Sequence, residues 1–466
     1  MSLDQLNYSH QTRQENLKRW NFLYRSFMGG EAYRKGKYLH MYWGENNAPF
    51  DAYGRRLDST PLDNHVRTTV DIYRSYIWKN PPSREFDSLD GNPFVESFID
   101  NADRRGQSLD SWMKDTLGWA MVLGELWILV DKPATQAETV ADALELDLTA
   151  YVTVYTPQTI IDWDYVMLPN GAKELVYVKS LEWHKGDKAG IREWTPNLIK
   201  EHVVKVDEIT NEYSAIESTT EMPNELGRVP FIRFMPMPDP EYNCGISMLN
   251  DVADIQRSIY NKLSELEQNI RISNHPLLVK GPETSVEAGA GGIITVPGNT
   301  DEIEPKILQP SGTSIDSILK AIDHDIKAIN SMTHLTAVRA EKGAMSGVAL
   351  QTERQLLNAK LGELSDSVTE LEYKIWDMWC DWMDYENTVT VTYSHHFDTR
   401  DPGYEHDLIS KAMETVNDPA FTNWAKRELV QLIIRDEEEM NMVLNALSSI
   451  DITDINNNET GTPPAN

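Results

Sequence analysis

The sequence predicts an α+β protein that is mainly helical, and two patterns support this. On both sides of a middle section, apolar residues recur every three or four positions, which is typical of amphipathic helices. Between Ala150 and Phe234 the pattern changes to alternating β-branched and aromatic residues, which favours strands, and Asn170-Gly171 predicts a hairpin turn. The proline-rich stretch from Met235 to Pro240 marks the end of that β-rich section.

The chain is acidic and too long for one compact core. Its 466 residues include 43 Lys and Arg against 73 Asp and Glu, which gives a formal net charge of −30. Because a protein grips nucleic acid with Lys and Arg facing the phosphates, the chain as a whole is not built to do so. Solubility explains the acidic excess, and so does a surface that must lie beside DNA without holding it. Composition does not separate the two explanations.

Neither a membrane segment nor a secretion signal is expected. No apolar run approaches the roughly 20 residues of a membrane helix, and the stretch from Met1 to Gln14 is polar. The two cysteines, Cys244 and Cys380, are isolated in the sequence. We therefore expect two buried thiols rather than a disulfide or a zinc site.

The N-terminal part is expected to begin with helices. Helical patterns cover Leu6 to Tyr42, with a break at Gly29-Gly30, and Leu62 to Trp78. A further helix is expected from about Asn92 to Leu117. It would pass into an apolar run, Ala120 to Val130, that fits a buried strand.

Three long amphipathic helices are expected after the β-rich section. The first covers Ile246 to Ile272, and a compact Gly-rich unit separates it from the second, which follows Pro310. The third has an apolar seam with alternating spacings of four and three: Leu357, Leu361, Leu364, Val368, Leu371, Ile375, Met378 and Trp382. That seam is typical of a coiled coil and equally of a long helix packed against neighbours in an assembly.

No motif for catalysis or phosphate binding is present. The sequence contains no GxxxxGK[ST], GxSxG, HExxH or GxGxxG. His395 and His396 are adjacent at a strand end, so they point in opposite directions and make a poor chelate. We therefore expect no enzyme activity, no cofactor and no metal. An enzyme with an unfamiliar site would use Asp162, Asp164 or the histidine pair, and would be a monomer with a deep pocket.

Several short stretches follow one another in a recognisable order: Leu226 to Phe234, Cys244 to Asp251, Tyr260 to Glu265 with Asn269, Ser346 to Leu350 and, near the N-terminus, Leu62 to Arg67 through Lys79-Asn80-Pro81. With the order of elements from Gly227 onward, these stretches resemble the portal (head-to-tail connector) proteins of tailed bacteriophages. They are similar to the family's strand that enters the first stem helix, to that helix, to the start of the wing-spanning helix and to an early helix. The resemblance covers most of residues 20 to 400.

The resemblance implies a portal-like subunit with wing, two-helix stem, small α/β clip, tunnel loop, long wing helix and helical crown. The boundaries would be 1–240 for the N-terminal helices and the β-rich wing, 241–274 for the first stem helix, 275–311 for the clip, 312–334 for the second stem helix, 335–347 for the tunnel loop, 348–400 for the long helix and wing return, and 401–450 for the crown. Residues 451–466, rich in Asn, Thr and Pro, are expected to form a disordered tail.

The resemblance also implies the function. Portal proteins form a ring, usually of twelve subunits, at the capsid vertex of the virion after assembly in the host cytoplasm. The ring is the channel for DNA packaging and ejection and the attachment platform for terminase and then for neck and tail adaptors. Implied partners are other copies of the chain, double-stranded DNA, the terminase large subunit, head-completion and neck adaptor proteins, and the major capsid and scaffold proteins, with no membrane. The alternative is another ring-forming phage neck or baseplate protein.

Twelve times −30 is about −360, and DNA is also negative, so a mostly acidic wall would let the duplex slide. The tunnel loop would contain Arg339, Glu341, Lys342, Gly343, Ala344, Met345, Ser346 and Gly347. The stem lysines that could face the channel are Lys262, Lys320 and Lys327, and the sequence does not say which of them do. The clip would offer Gly281, Pro282, Glu283 and Thr284 to adaptors. Arg339 and Lys342 would touch phosphates transiently, and ordinary surface charge is the alternative for both.

Overall fold

The computed structural model describes residues 3–45, 51–133, 135, 137, 139–207, 209–210, 212–241, 244–274, 277–280, 293–295, 306–308, 312–339, 347–395, 397, 402–416, 419–433 and 442–443. The chain divides into two compact units, Met1–Phe397 and Asp398–Asn466. Helices and antiparallel sheets are both present, so the protein is α+β as predicted. No helix in the described ranges combines the length and apolarity needed to cross a membrane.

The N-terminal part is helical. Its elements are α1 (Leu3–Asn7), α2 (Gln11–Met28), α3 (Gly30–Lys35), α4 (Ala52–Ser59), α5 (His65–Ile77), β1 (Ser83–Glu85), α6 (Pro93–Asp100) and α7 (Leu109–Leu123). The predicted break after α2 is confirmed, because Gly29 has a φ of 66° that favours glycine. Asn64 caps α5 by accepting a hydrogen bond from the Arg67 amide at 2.8 Å.

The prediction of one helix from Asn92 to Leu117 followed by a strand from Ala120 is wrong. Two helices, α6 and α7, are separated by a turn in which Arg104 and Gly106 have positive φ. Ser108 then caps α7 with its side chain. Helix α7 continues to Leu123, and the strand begins at Leu126.

Two antiparallel sheets form the β-rich section. The first has the order β3-β2-β9 and the second β4-β5-β6-β7-β8. The bounds are β2 (Leu126–Asp131), α8 (Val140–Glu145), β3 (Tyr151–Tyr155), β4 (Ile160–Met167), β5 (Lys173–Lys185), β6 (Lys188–Trp194), β7 (Leu198–Val206), β8 (Tyr213–Pro223) and β9 (Phe231–Phe234). The hairpin predicted at Asn170-Gly171 joins β4 to β5, and Gly171 has a φ of 84°. Trp127, Trp194 and Phe231 are buried in a cluster shared by the two sheets.

Two long helices flank a small sheet. They are α9 (Asn250–Asn274) and α10 (Gly312–Met332), and between them lie β10 (Leu277–Lys280), β11 (Ile293–Thr295) and β12 (Lys306–Leu308). Strand β10 is central, parallel to β11 and antiparallel to β12. The helix–sheet–helix order agrees with the pattern expected for residues 246–334. After α10 come α11 (Thr336–Arg339), the 37-residue α12 (Gly347–Met383) and β13 (Thr390–Thr392), which pairs with β1.

The apolar seam of α12 is buried inside this chain. Seven of its eight predicted members are buried, from Leu357 to Met378, and Trp382 packs against the same core. That core also contains residues of α2, α5, α7, β2, α9 and α10. The seam is therefore not a coiled coil, and it is not the surface that packs against other subunits. The second unit contributes α13 (Pro402–Thr415) and α14 (Pro419–Ile433).

Two glycines meet backbone to backbone where α7 leads into β2. A Cβ on Gly245 would lie 2.0 Å from the carbonyl oxygen of Gly124, and one on Gly124 would lie 2.3 Å from the oxygen of Gly245. Glu125 accepts a hydrogen bond from the Gly245 amide at 2.9 Å. This contact fixes the segment that leads into α9 against the main core. Of the cysteines, Cys380 is buried as expected, whereas Cys244 is half-exposed, and neither forms a disulfide.

Candidate functional site

The helices α9 and α10 lie antiparallel with their apolar residues between them. Leu249, just before α9, lines the same cleft as Met332 at the end of α10. Farther along, Lys262 of α9 contacts Asp325 of α10. The buried residues of this helix pair include Val252, Ile259 and Leu266 from α9 and Ile322 and Ile329 from α10. We call this pair the stem.

Two of the three lysines predicted to face DNA are engaged by aspartates of the stem itself. The Nζ of Lys262 lies 2.6 Å from Oδ2 of Asp325, across the two helices. The Nζ of Lys327 lies 2.5 Å from Oδ2 of Asp323, one turn earlier on α10. Lys320 is exposed and forms no ion pair with the residues that the structure describes. Lys262 and Lys327 are therefore neutralised by partners within the stem itself.

Arg339 ends α11 and is turned back toward the stem. Its Nη1 donates to Oδ1 of Asn330 on α10 at 2.8 Å. Its Nη2 is buried and finds no hydrogen-bond partner among the described residues. Burial lowers the pKa of the guanidinium. Arg339 is thus half-buried rather than a freely extended surface cation.

The remaining predicted contact residues mostly lie outside the described residues. These are Glu341, Lys342, Gly343, Ala344, Met345 and Ser346 of the predicted tunnel loop, and Gly281, Pro282, Glu283 and Thr284 of the predicted clip. Gly347 is the first residue of α12. The predicted disordered tail, 451–466, also falls outside the described part of the chain.

Sequence reasoning missed a buried ion pair that holds the segment 38–45 against the stem. The Arg56 side chain, 5% exposed, donates to both oxygens of Glu45 at 2.9 and 2.8 Å and to Oγ of Ser264 on α9 at 2.9 Å. The hydrogen bond from Arg56 lowers the pKa of Glu45. The Tyr42 hydroxyl donates to Glu265 at 2.7 Å, and its ring centroid lies 3.8 Å from the Arg56 guanidinium carbon. Arg56 and Ser264 are 208 residues apart, and Tyr42 and Glu265 are 223 apart, so no local pattern predicts the contacts with α9.

A second missed network anchors α12. Glu372 is fully buried and accepts hydrogen bonds from Arg84 of β1 at 2.5 Å and from the Tyr393 hydroxyl at 2.6 Å. Arg84 also pairs with Asp110 of α7 at 2.6 Å. Burial and the neighbouring carboxylate raise the pKa of Tyr393. One signal was in the sequence: Glu372 is an acid among the apolar residues of the α12 seam.

The residues that an enzyme with an unfamiliar site would use do not come together in a single site. Asp162 and Asp164 lie on β4, where burial raises the pKa of Asp162. His395 instead lies beside α12, with Nε2 3.2 Å from the exposed Asp366, and His396 is outside the described residues. Among the residues described, no group of three or more His, Cys, Asp or Glu side chains could hold a metal.

Comparisons with known proteins add little to this geometry. No protein-family description matches the chain, and no curated protein sequence is significantly similar to it. Among solved structures, the chain is similar to one from the neck of an empty gene transfer agent (GTA) particle, computed with C6 symmetry. That similarity covers 82% of this chain and 90% of the other, with 9% identity and a TM-score of 0.39. At this TM-score the likeness carries no argument about fold or function.

Proposed function

We propose that this chain is a portal protein of a tailed bacteriophage. It forms a ring, twelve subunits in the simplest case, at the capsid vertex, and double-stranded DNA passes through the ring during packaging and ejection. The chain itself catalyses no reaction. The segments assigned as wing, stem, clip, tunnel loop, long helix and crown keep the boundaries predicted from the sequence.

The observation that carries the proposal is the neutralisation of Lys262 and Lys327 within the stem. A channel wall must not hold the duplex in deep electrostatic minima, because each phosphate that meets a free cation adds salt-dependent affinity. The stem meets this requirement with the pairs Lys262–Asp325 and Lys327–Asp323, each closed within one subunit. The net charge of −30 further discourages tight binding of DNA. Lys320 would make weak contacts with phosphates, and these would break as the DNA moves.

The remaining partners follow from the proposed ring. The small sheet β10–β12 at the far end of the stem would meet the terminase large subunit during packaging and head-completion and neck adaptors afterwards. The N-terminal helices and the two antiparallel sheets would meet the major capsid and scaffold proteins. These contacts are part of the proposal and place the mature protein in the virion.

The deciding experiment is native mass spectrometry of the purified protein, combined with negative-stain class averages. The proposal predicts a closed ring of about twelve subunits with a central hole. A protein that stays monomeric at high concentration, with scaffold protein present, would contradict it.

A second measurement separates a portal from another ring-forming neck or baseplate protein. A portal ring should bind the terminase large subunit of the same phage, measured by pull-down or light scattering. It should also bind double-stranded DNA only weakly at physiological salt, measured by fluorescence anisotropy. A ring that does not bind the terminase large subunit would favour the neck or baseplate alternative.

A further inference from the structure

Trp43 is the most exposed large apolar side chain among the described residues. Its relative exposure is 103%, and Met41 beside it is 47% exposed. Burying a tryptophan from water is worth roughly 2–3 kcal/mol, so a fully exposed one is a large unused contact. Single exposed apolar residues are common on surfaces, and the case for Trp43 therefore depends on its setting.

The backbone around Trp43 is held in place. The His40 amide donates to Oδ1 of Asn261 at 2.8 Å, and the Tyr42 amide donates to Oε2 of Glu45 at 2.7 Å. The Tyr42 hydroxyl is fixed to Glu265, as described above. A side chain presented by a fixed segment loses little further entropy when it binds, which is the property of an interface anchor.

A cleft that suits an indole lies between α2 and α9. It has a volume of about 530 Å³, and its lining includes Lys18, Arg19, Phe22, Arg25, Tyr38 and Arg257. The rings of Phe22 and Tyr38 meet edge to face at 4.9 Å. The guanidinium carbons of Arg19 and Arg257 each lie 5.0 Å from the Phe22 centroid.

The cleft is basic in a strongly acidic chain. Four of its lining side chains are cationic, and Glu15 is the acidic one. Arg19 and Arg257 share Asp254, at 2.9 and 3.0 Å. Phe22 is itself buried at 5% exposure, so the surfaces open to a ligand are the half-buried Tyr38 ring and the guanidinium groups around it. This lining favours a tryptophan, whose ring can stack on Tyr38 and attract the cations through its π face.

We propose that Trp43 of one subunit inserts into the Phe22–Tyr38 cleft of the next copy of the same chain. The inference rests on the proposed ring. Trp43 (the knob) and the cleft are different surfaces of one subunit, so each subunit can offer its knob to the next one head-to-tail, the kind of contact that closes into a ring. A reciprocal exchange of knobs between two subunits would stop at a dimer.

The spacing of knob and cleft fits this contact. Tyr38 and Trp43 are five residues apart, so their Cα atoms are separated by at most about 17 Å. Because knob and cleft lie so close together within one subunit, the contact would bring the 38–45 segments of neighbouring subunits side by side. The segment 38–45 is attached to α9, so the contact lies beside the stem.

The test compares the ring stability of Trp43→Ala, Arg25→Glu and the double variant with that of the wild type. Mass photometry over a dilution series gives the concentration at which half the rings dissociate. Each single change should raise that concentration at least tenfold, and the double variant should add little, because both changes remove one contact. Ile209→Ala is the matched control, since Ile209 is 92% exposed and far from the cleft in sequence. Thermal unfolding of each dissociated subunit checks that the fold is intact.

Fluorescence supplies an independent readout. The difference spectrum between wild type and Trp43→Phe should show solvent-exposed emission in the monomer and a blue shift in the ring. A wild-type ring with an unshifted Trp43 spectrum, or a Trp43→Ala ring that dissociates like wild type, overturns the inference and leaves the ring function standing. If Trp43→Ala weakens the ring and Arg25→Glu does not, the assignment to this cleft is wrong. If the wild-type protein never forms rings, the proposed function itself is wrong.

Discussion

Lys262 on α9 donates from Nζ to Oδ2 of Asp325 on α10 at 2.6 Å, which joins the two stem helices by an ion pair. The Asp325 side chain is 15% exposed and that of Lys262 is 31% exposed. The pair is therefore less accessible to solvent than an ordinary surface pair. It both stabilises the helix packing and removes two charges from the surface that DNA is proposed to pass.

Lys262→Met should destabilise the protein by about 1 kcal/mol, because it leaves the mostly buried Asp325 carboxylate without its cation. Urea unfolding followed by circular dichroism measures the change. Lys327→Met is the matched control: the pair with Asp323 is 72% and 61% exposed, so its loss should cost below about 0.5 kcal/mol. Equal effects of the two substitutions would show that the cross-helix pair contributes no more to the free energy of unfolding than the exposed pair.

Gly245→Ala should destabilise the fold by more than about 2 kcal/mol. The new Cβ would lie 2.0 Å from the Gly124 carbonyl oxygen, and because both sides are backbone, neither can rotate away. Gly362→Ala, inside α12, tests the same substitution where the nearest atom is 3.6 Å away. Alanine is a better helix former, so that variant should gain up to about 1 kcal/mol. Thermal unfolding of both variants should therefore shift in opposite directions.

Glu372→Gln should cost about 3 kcal/mol, because Arg84 would remain buried beside a neutral partner. Arg84 also forms an ion pair with Asp110, which limits the loss of stability. On the exposed face of α12, Glu370 pairs with Lys374 at 2.6 Å, and Glu370→Gln should change the free energy of unfolding by below about 0.5 kcal/mol. Chemical denaturation of the two variants checks the contrast, and a small effect at position 372 would contradict the assigned role of the network.

Acid should destabilise the protein through His65. Burial lowers the pKa of His65 below 6.5, Arg339 lowers it further and Asp63 opposes the shift. The native state thus resists a proton that the unfolded chain accepts, so stability is constant above about pH 6.5 and falls as the pH drops below it. The melting temperature should fall less for His65→Gln than for wild type between pH 7.5 and 5.5. Parallel losses in the two proteins would exclude His65 as a cause.

Much of the helical framework could be predicted from the sequence because it depends on local periodicity. The seam from Leu357 to Trp382 and the stripes of α9 and α10 have the spacing that buries one helix face. The break between α6 and α7 was missed because Asn101 to Gln107 contains polar residues that a helix surface also tolerates. The helix is interrupted there because Arg104 and Gly106 adopt positive φ. The spacing of apolar residues carries no information about φ.

The charge pairs that join distant parts of the chain could not be predicted in the same way, whereas Lys327 and Asp323 are four residues apart on one helix, a spacing that the sequence contains. Lys262 and Asp325 are separated by the small sheet, and Arg84 and Glu372 by most of the chain. A lysine on an amphipathic helix is expected to face solvent, so the sequence offered three candidate cations for the channel and did not distinguish them. Which of them is neutralised depends on the packing of α9 against α10, which brings an aspartate within reach of Lys262.

The anchoring of α12 has a mechanical consequence. At 1.5 Å per residue, its 37 residues make a rod about 55 Å long. Its buried seam begins at Leu357, so the core holds the rod from there to its C-terminal end. Gly347 lies about 15 Å beyond the start of the seam. A bend of about 10° in this short arm would therefore move Gly347 by about 3 Å, beside the segment predicted to meet DNA.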